Sequence, residues 1–142
     1  MIEVQVEAGA HPGHAALLQR AVEATLRQQE VEDGEVSLAL LDDPAIQALN
    51  REHLGHDRPT DVLAFALWSP GEPVLGDVYL GVEQAARQAR EEGVPLEEEL
   101  VRLAVHGTLH ILGHDHPDSA EDRPGSAMYR LQEALVRAVF AD

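Results

Sequence analysis

The chain has 142 residues, no cysteine, and a formal net charge of −16 from 26 acidic and 10 basic residues. This length suits one domain, spanning residues 1–142, with a core that needs no disulfides. Without thiolates, a transition-metal site depends on His, Asp or Glu. The acidic field repels nucleic acid at long range, so a polyanionic substrate requires a local cation such as a bound metal. No stretch approaches the ~20 apolar residues of a membrane span, and the first residues do not resemble a signal peptide, so we expect a cytoplasmic protein.

The first half of the chain predicts two strands that alternate with two helices. Apolar residues at every second position predict a strand over residues 1–8, and apolar residues at helical spacing predict a helix over residues 12–30. The apolar run from 36 to 41 predicts a second strand. Asp42 is a suitable N-cap for a second helix, and Gly55 is expected to end that helix because glycine readily adopts the left-handed conformation.

The second half predicts a hairpin followed by three helices. Residues 61–67 and 75–82 are apolar segments separated by turn residues, so we expect them to pair as two strands. Helices are predicted over residues 83–92, from about 95 to 112, and over residues 126–139. The element order β-α-β-α-β-β-α-α-α predicts an α+β fold, an α/β sandwich in which a small mixed sheet of four strands is covered by about five helices.

Three histidines near the end of the fourth predicted helix form a candidate metal site. His106 and His110 are four residues apart, which places both imidazoles on one helix face, with roughly 5–6 Å between their Cβ atoms. Gly113 then ends the helix and lets the chain turn back, so that His116 can approach the same point. Three imidazoles with one open position are the ligand set of a catalytic zinc site, although they also suit other divalent metals. The sequence therefore predicts one Zn²⁺ per chain, used for hydrolysis.

Three residues beside these histidines bear on the chemistry. Gly107 stands where zinc peptidases of the HExxH type carry the glutamate that serves as general base, which argues against peptide hydrolysis by that mechanism. Asp115 is a catalytic candidate that would orient one of the histidines, with an exposed loop carboxylate as the alternative. His114 is expected either to support the ligands or to be exposed.

The histidine segment resembles the signature of a known family. Residues 106–116, HGTLHILGHDH, are similar to the pattern His-Gly-x-Leu-His-Leu-x-Gly-Tyr/His-Asp-His of the YbeY family of bacterial endoribonucleases. Residues 57–65, DRPTDVLAF, resemble the family's D-x-P-T-D-V-L-S-F, and residues 75–78, LGDV, resemble its L-G-D-I. The motifs occur in the family's order and cover about residues 40–135.

The resemblance implies a zinc-dependent endoribonuclease that is specific for single-stranded RNA. It implies action in rRNA maturation, especially near the 3′ end of small-subunit rRNA, and in ribosome quality control, with the small ribosomal subunit as a partner. It also implies that His106, His110 and His116 are the metal ligands and that the metal lies in a cleft of an α/β sandwich.

One departure from the family pattern concerns phosphate binding. The family usually carries an arginine just before the glycine that precedes its D-x-P-T-D motif, and this chain has Leu54 there. Arg51 and Arg58 flank this position and are candidates to bind substrate phosphates in its place. Two alternatives stay open on the sequence alone. One is a metal-dependent hydrolase of peptides or small molecules, and the other is a zinc-containing ribosome-assembly factor with weak or no nuclease activity.

Overall fold

The computed structural model describes residues 1–115 and 123–141, which form four β-strands and five α-helices in the predicted order. In chain order these are β1 (Ile2–Glu7), α1 (Ala15–Gln28), β2 (Gly34–Leu41), α2 (Asp43–Leu54), β3 (Val62–Ala66), β4 (Val74–Gly81), α3 (Val82–Glu92), α4 (Leu96–Ile111) and α5 (Ala127–Ala141). Short 3-10 turns, Pro12–His14 and Arg123–Gly125, precede α1 and α5. The α+β fold expected from the sequence is confirmed.

The four strands form one mixed sheet in the order β1-β2-β4-β3. β2 pairs in parallel with both β1 and β4. β3 and β4 form the antiparallel hairpin expected from the sequence, with Val62 opposite Leu80 and Ala64 opposite Val78. Parallel strands require long crossovers, and here α1 lies in the connection from β1 to β2. The hairpin leaves β3 as an edge strand that contacts α4.

The core lies between one face of the sheet and the helices that cover it. Alternate residues of the central strands, such as Leu38 of β2 and Val78 of β4, are buried on this face, because successive side chains of a strand point to opposite faces. Helix α4 contacts β3, β4, α1, α3 and α5, and its residues Leu100, Val101 and Leu109 are buried. α4 is therefore the central helix, and its contacts with β3 and α5 position the site described below.

The ends of α2 and α4 follow the signals expected from the sequence. The Oδ1 atom of Asp42 accepts a hydrogen bond from the backbone N–H of Ala45 at 3.0 Å and caps the start of α2. Gly55 ends α2 with a φ of 73°, and Gly113 follows α4 with a φ of 96°. Both values are in the left-handed region that favours glycine. Among the described residues, no helix combines the length and the apolar character needed to cross a membrane.

Candidate metal centre

His106 and His110 converge in the last two turns of α4. Their Nε2 atoms are 3.0 Å apart, and their ring centroids are 4.6 Å apart with an interplanar angle of 72°. Both side chains are half-buried and line a cleft. The spacing of four residues thus brings the two rings together on one helix face, as the sequence predicted.

The geometry of this histidine pair fits a shared metal ion. Two nitrogens that bind one tetrahedral zinc ion, each at ~2.0–2.1 Å, lie roughly 3.3 Å from each other. The Nε2 atoms of His106 and His110 are 3.0 Å apart, so a small adjustment would bring both within bonding distance of one ion. In residues 1–115 and 123–141, no group of three or more His, Cys, Asp or Glu side chains is placed to hold a metal ion. The predicted third ligand, His116, lies outside the described residues.

The segment that follows α4 begins with a tight turn. The backbone N–H of Gly113 donates to the carbonyl oxygen of His110, and that of His114 donates to the carbonyl oxygen of Leu109, both at 3.0 Å. The His114 ring is half-buried, and its Nε2 atom is 2.6 Å from Oε1 of Gln29 at the end of α1. His114 is therefore anchored to α1, which holds the start of this segment against the helical layer.

Helix α5 supplies a partner for one ring of the pair. The Nδ1 atom of His106 lies 2.7 Å from Oε1 of Gln132, a residue that is buried between the helices. Because an amide oxygen only accepts hydrogen bonds, Nδ1 carries the proton and Nε2 keeps its lone pair. The sequence analysis missed Gln132, since no short-range spacing connects position 132 with position 106.

A cleft of about 670 Å³ surrounds the histidine pair. One wall is strand β3, from Val62 to Ala66, and the opposite wall is formed by α4 and the first two turns of α5. Leu54, the last residue of α2, and Tyr129 of α5 add exposed apolar surface to the lining. A cavity of this size admits a small-molecule or nucleotide-sized group.

Arg102, in the wall of this cleft, forms hydrogen bonds with three carboxylates. It donates hydrogen bonds to Glu133 and Glu99, each at 2.8 Å, and to Glu98 at 3.1 Å. The hydrogen bond to Glu133, together with those to the other two carboxylates, raises the pKa of Arg102 above its usual range in spite of burial. Because the guanidinium is matched by carboxylates, this side chain adds little net positive charge for an anionic substrate.

Arg102 acts to lower the pKa of both of the most buried carboxylates, but their net pKa shifts are opposite. Burial raises the pKa of Glu99, and the hydrogen bond from Arg102 offsets only part of that effect. Burial also acts to raise the pKa of Glu133, but hydrogen bonds from Arg102 and Gln132 outweigh it and lower the pKa. Glu133 is therefore held as a carboxylate, next to the residue that contacts His106.

Gly107 has a packing role that the sequence did not reveal. A Cβ atom at this position would lie 2.8 Å from Cγ1 of Val78 and 3.3 Å from Cγ2 of Val62. Helix α4 approaches β3 and β4 so closely here that there is no space for a side chain. Position 107 thus faces the sheet, and a glutamate could not be accommodated there without displacing the helix.

Comparison with known proteins identifies the family. A sequence model described as endoribonuclease YbeY matches residues 3–139. The chain belongs to the YbeY family. A relative from Desulfitobacterium hafniense, named endoribonuclease YbeY, is 47% identical over 120 residues, which cover 78% of this chain and 74% of the relative. Another, from Thermus thermophilus and named likewise, is 39% identical over 140 residues, which cover 96% of this chain and 99% of the relative.

The fold is also shared with a solved structure. The solution structure of a protein from Thermotoga maritima matches with a TM-score of 0.69 at 30% sequence identity, covering 99% of this chain and 90% of that one. The match covers nearly the whole chain, so the fold belongs to a known architecture.

The structure places Asp115, the predicted orienting carboxylate, in an exposed position. Its side chain is 94% exposed, and its Oδ1 atom is 4.0 Å from Nδ1 of His110. This distance is too long for a hydrogen bond. A role of Asp115 in orienting a histidine of the YbeY-type site stays a prediction.

The arginines predicted to bind substrate are not among the residues that line the cleft. Arg51 is exposed, with Nη1 3.6 Å from the carboxylate of Asp57, and neither Arg51 nor Arg58 is among the lining residues. Leu54 does line the cleft and is 52% exposed. Position 54, where the resemblance in the sequence implied an arginine, therefore lines the candidate site and presents an apolar side chain. The role of Arg51 and Arg58 in phosphate binding stays a prediction.

Proposed function

We propose that this chain is a zinc-dependent endoribonuclease that cleaves single-stranded RNA. Membership of a family whose relatives are named endoribonuclease YbeY supports the endoribonuclease role. The observation that carries the metal dependence is the convergence of two imidazole Nε2 atoms, 3.0 Å apart, inside a cleft. We propose further that the enzyme acts in the cytoplasm on rRNA, near the 3′ end of small-subunit rRNA, and in ribosome quality control.

The residues proposed to hold zinc are His106, His110 and His116. The first two offer Nε2 atoms from one helix face, and the third follows the turn at Gly113. A bound zinc ion would supply Lewis-acid chemistry, polarising a phosphodiester oxygen or a water molecule. The protein contributes the fixed ring positions, because Gln132 holds the His106 ring through Nδ1.

The charge of the chain explains why a cationic centre is needed for such a substrate. The net charge is −16, and Asp61 and Glu99 line the cleft. Two arginines, Arg102 and Arg123, are among the described residues that line the cleft, and Arg102 is paired with carboxylates at 2.8–3.1 Å. A divalent ion on the histidine pair would offset this repulsion at the point where the phosphate must approach.

The cleft walls favour unpaired bases over a duplex. Exposed apolar or aromatic side chains in the lining, Leu54 and Tyr129, lie in the same cleft as Phe65 of β3. Single-stranded RNA presents unstacked base faces that pack against aromatic and apolar side chains, whereas the bases of a duplex are stacked on each other. The proposed substrate contacts are therefore stacking contacts, with the phosphates directed to the metal.

Cleavage of RNA with and without chelator tests the metal dependence. Purified protein should bind about one zinc per chain and cleave a single-stranded oligonucleotide, and a chelator should stop cleavage until zinc is restored. The variants His110→Ala and His116→Ala should lose both zinc and cleavage. His11→Ala, which removes an exposed histidine outside the cleft, is the matched control and should retain both. Cleavage by zinc-free protein would refute the metal mechanism.

The RNA target requires a separate experiment. Small ribosomal subunits carrying 3′-extended rRNA should bind the wild-type protein and be trimmed by it, whereas a duplex of the same sequence should be left intact. Binding to the subunit without any cleavage of single-stranded RNA would instead favour an assembly factor that lacks nuclease activity.

A further inference from the structure

Gln132 joins the histidine pair to helix α5 through a hydrogen bond of defined direction. Its side chain is 6% exposed, and its Oε1 atom lies 2.7 Å from Nδ1 of His106. Oε1 is an acceptor, so the donor must be Nδ1–H. The proton on Nδ1 leaves the lone pair of Nε2 directed at the point that it shares with Nε2 of His110, 3.0 Å away.

The amide of Gln132 cannot reverse this direction without losing a second contact. Its Nε2 atom donates to Oε2 of Glu133 at 3.2 Å. Glu133 accepts two hydrogen bonds from Arg102, at 2.8 Å from Nε and at 3.0 Å from Nη2, an arrangement that fixes the carboxylate plane. If the amide flipped, its oxygen would face the Glu133 carboxylate and its NH₂ would face the ring of His106. The chain of contacts Arg102–Glu133–Gln132–His106 therefore selects one orientation.

We propose that Gln132 is a positioning residue that holds His106 in the Nδ1–H tautomer, the form whose Nε2 can bind a divalent metal. This inference rests on the proposed metal site. Histidine ligands generally donate their second ring N–H to an oxygen acceptor, and loss of that acceptor costs typically ~10–100-fold in metal affinity. Gln132 provides the acceptor from a different helix, so the tautomer depends on the packing of α5 against α4.

An amide suits this position better than a carboxylate because of its surroundings. Glu133 is adjacent and charged, and Glu99 shares the same arginine. A carboxylate at position 132 would add a further negative charge beside Glu133 and close to the path of an anionic substrate. The neutral amide accepts from His106, donates to Glu133, and adds no charge.

Nitrogen-15 NMR of the imidazoles in the metal-free protein tests the inference directly. At a pH where the ring is neutral, wild-type His106 should appear as the Nδ1–H tautomer. Gln132→Leu removes the acceptor, so the fraction of His106 in the Nδ1–H tautomer should fall and the fraction in the Nε2–H tautomer should rise. Gln132→Glu restores an acceptor and should restore the Nδ1–H signature. Gln132→Asn, whose shorter side chain withdraws the oxygen, should behave like the leucine variant and replaces it if that variant does not fold.

Zinc affinity, measured by competition with a chromophoric chelator, is the second readout. Gln132→Leu should weaken zinc binding by about 10–100-fold, and Gln132→Glu should remain within a few-fold of the wild type. Gln84→Leu is the matched control, because it removes a glutamine outside the cleft whose Oε1 accepts a hydrogen bond from Arg87 at 2.8 Å, and it should leave the His106 spectrum and zinc affinity unchanged.

Two results separate this inference from the proposed function. If Gln132→Leu keeps the wild-type tautomer, or keeps wild-type zinc affinity, Gln132 is not a positioning residue, even though the metal site stands. If the wild-type protein binds no zinc, the proposed function fails, and the metal-positioning role of Gln132 fails with it, whatever tautomer the spectrum shows.

Discussion

Replacing Arg102 with methionine removes the guanidinium at the cleft wall and keeps an unbranched side chain of similar length. Glu99 and Glu133, whose side chains are 9% and 19% exposed, then lose their partner while they stay largely buried. Breaking a fully buried ion pair costs about 3–5 kcal/mol, and breaking an exposed one costs about 0.2–1 kcal/mol. Since these groups lie nearer the buried case but are not sealed from water, we expect a loss of about 2–3 kcal/mol in the free energy of unfolding at pH 7.

The loss should also depend on pH, with a defined sign. In the wild type, the folded-state pKa of Glu133 is lowered, because hydrogen bonds from Arg102 and Gln132 outweigh the opposing effect of burial. An acid with a lowered pKa contributes stability above its unfolded pKa of about 4.3, and this contribution is lost as the pH falls through the folded-state pKa. In Arg102→Met, the unpaired carboxylates should instead take up protons in acid. The difference between the two proteins should therefore be largest at neutral pH and smaller at low pH.

Urea unfolding at pH 7 and at about pH 4.5 measures both effects. Arg87→Met is the matched control, because Arg87 contacts Asp43 at 2.9 Å but its side chain is 40% exposed. That variant should lose less than about 1 kcal/mol, with little change between the two pH values. A loss below about 1 kcal/mol for Arg102→Met, or a loss of equal size at both pH values, would refute the argument that Arg102 offsets buried carboxylates.

Three further predictions concern packing, substrate binding and helix capping. Gly107→Ala should lower the free energy of unfolding by about 1–2 kcal/mol, because its Cβ would lie 2.8 Å from Cγ1 of Val78. A double-mutant cycle with Val78→Ala should show a coupling energy of at least about 1 kcal/mol, and additive losses would contradict the clash. Leu54→Arg should tighten binding of single-stranded RNA and make the slope of log K against log salt concentration more negative by about 0.7. The control Leu67→Arg, which is equally exposed but lies outside the cleft, should change neither the affinity nor the slope. Asp42→Ala should lower the free energy of unfolding by about 1 kcal/mol in a urea titration, and an unchanged midpoint would mean that the cap of α2 contributes nothing.

Most of the secondary structure followed from the amino-acid sequence because its signals are local. Each signal involves only residues that are close in sequence: the alternation of apolar residues in β1, the cap at Asp42, and the glycines at 55 and 113. The same holds for the convergence of His106 and His110, because a spacing of four residues on a helix specifies a common face. The third predicted ligand, His116, lies outside the described residues, and its role remains a prediction.

Only the tertiary structure decided what surrounds the histidine pair. Gln132 contacts His106, which is 26 residues away in sequence, and Glu133 contacts Arg102, which is 31 residues away, because α5 packs against α4. Gly107, which in the sequence looked like a missing catalytic base, lies instead where α4 touches the sheet. The sequence by itself determined the secondary-structure elements and the two ring nitrogens that converge on one helix face. The acceptor that places the proton on Nδ1 of His106 depends instead on how α5 packs against α4, and no local sequence pattern encodes that contact.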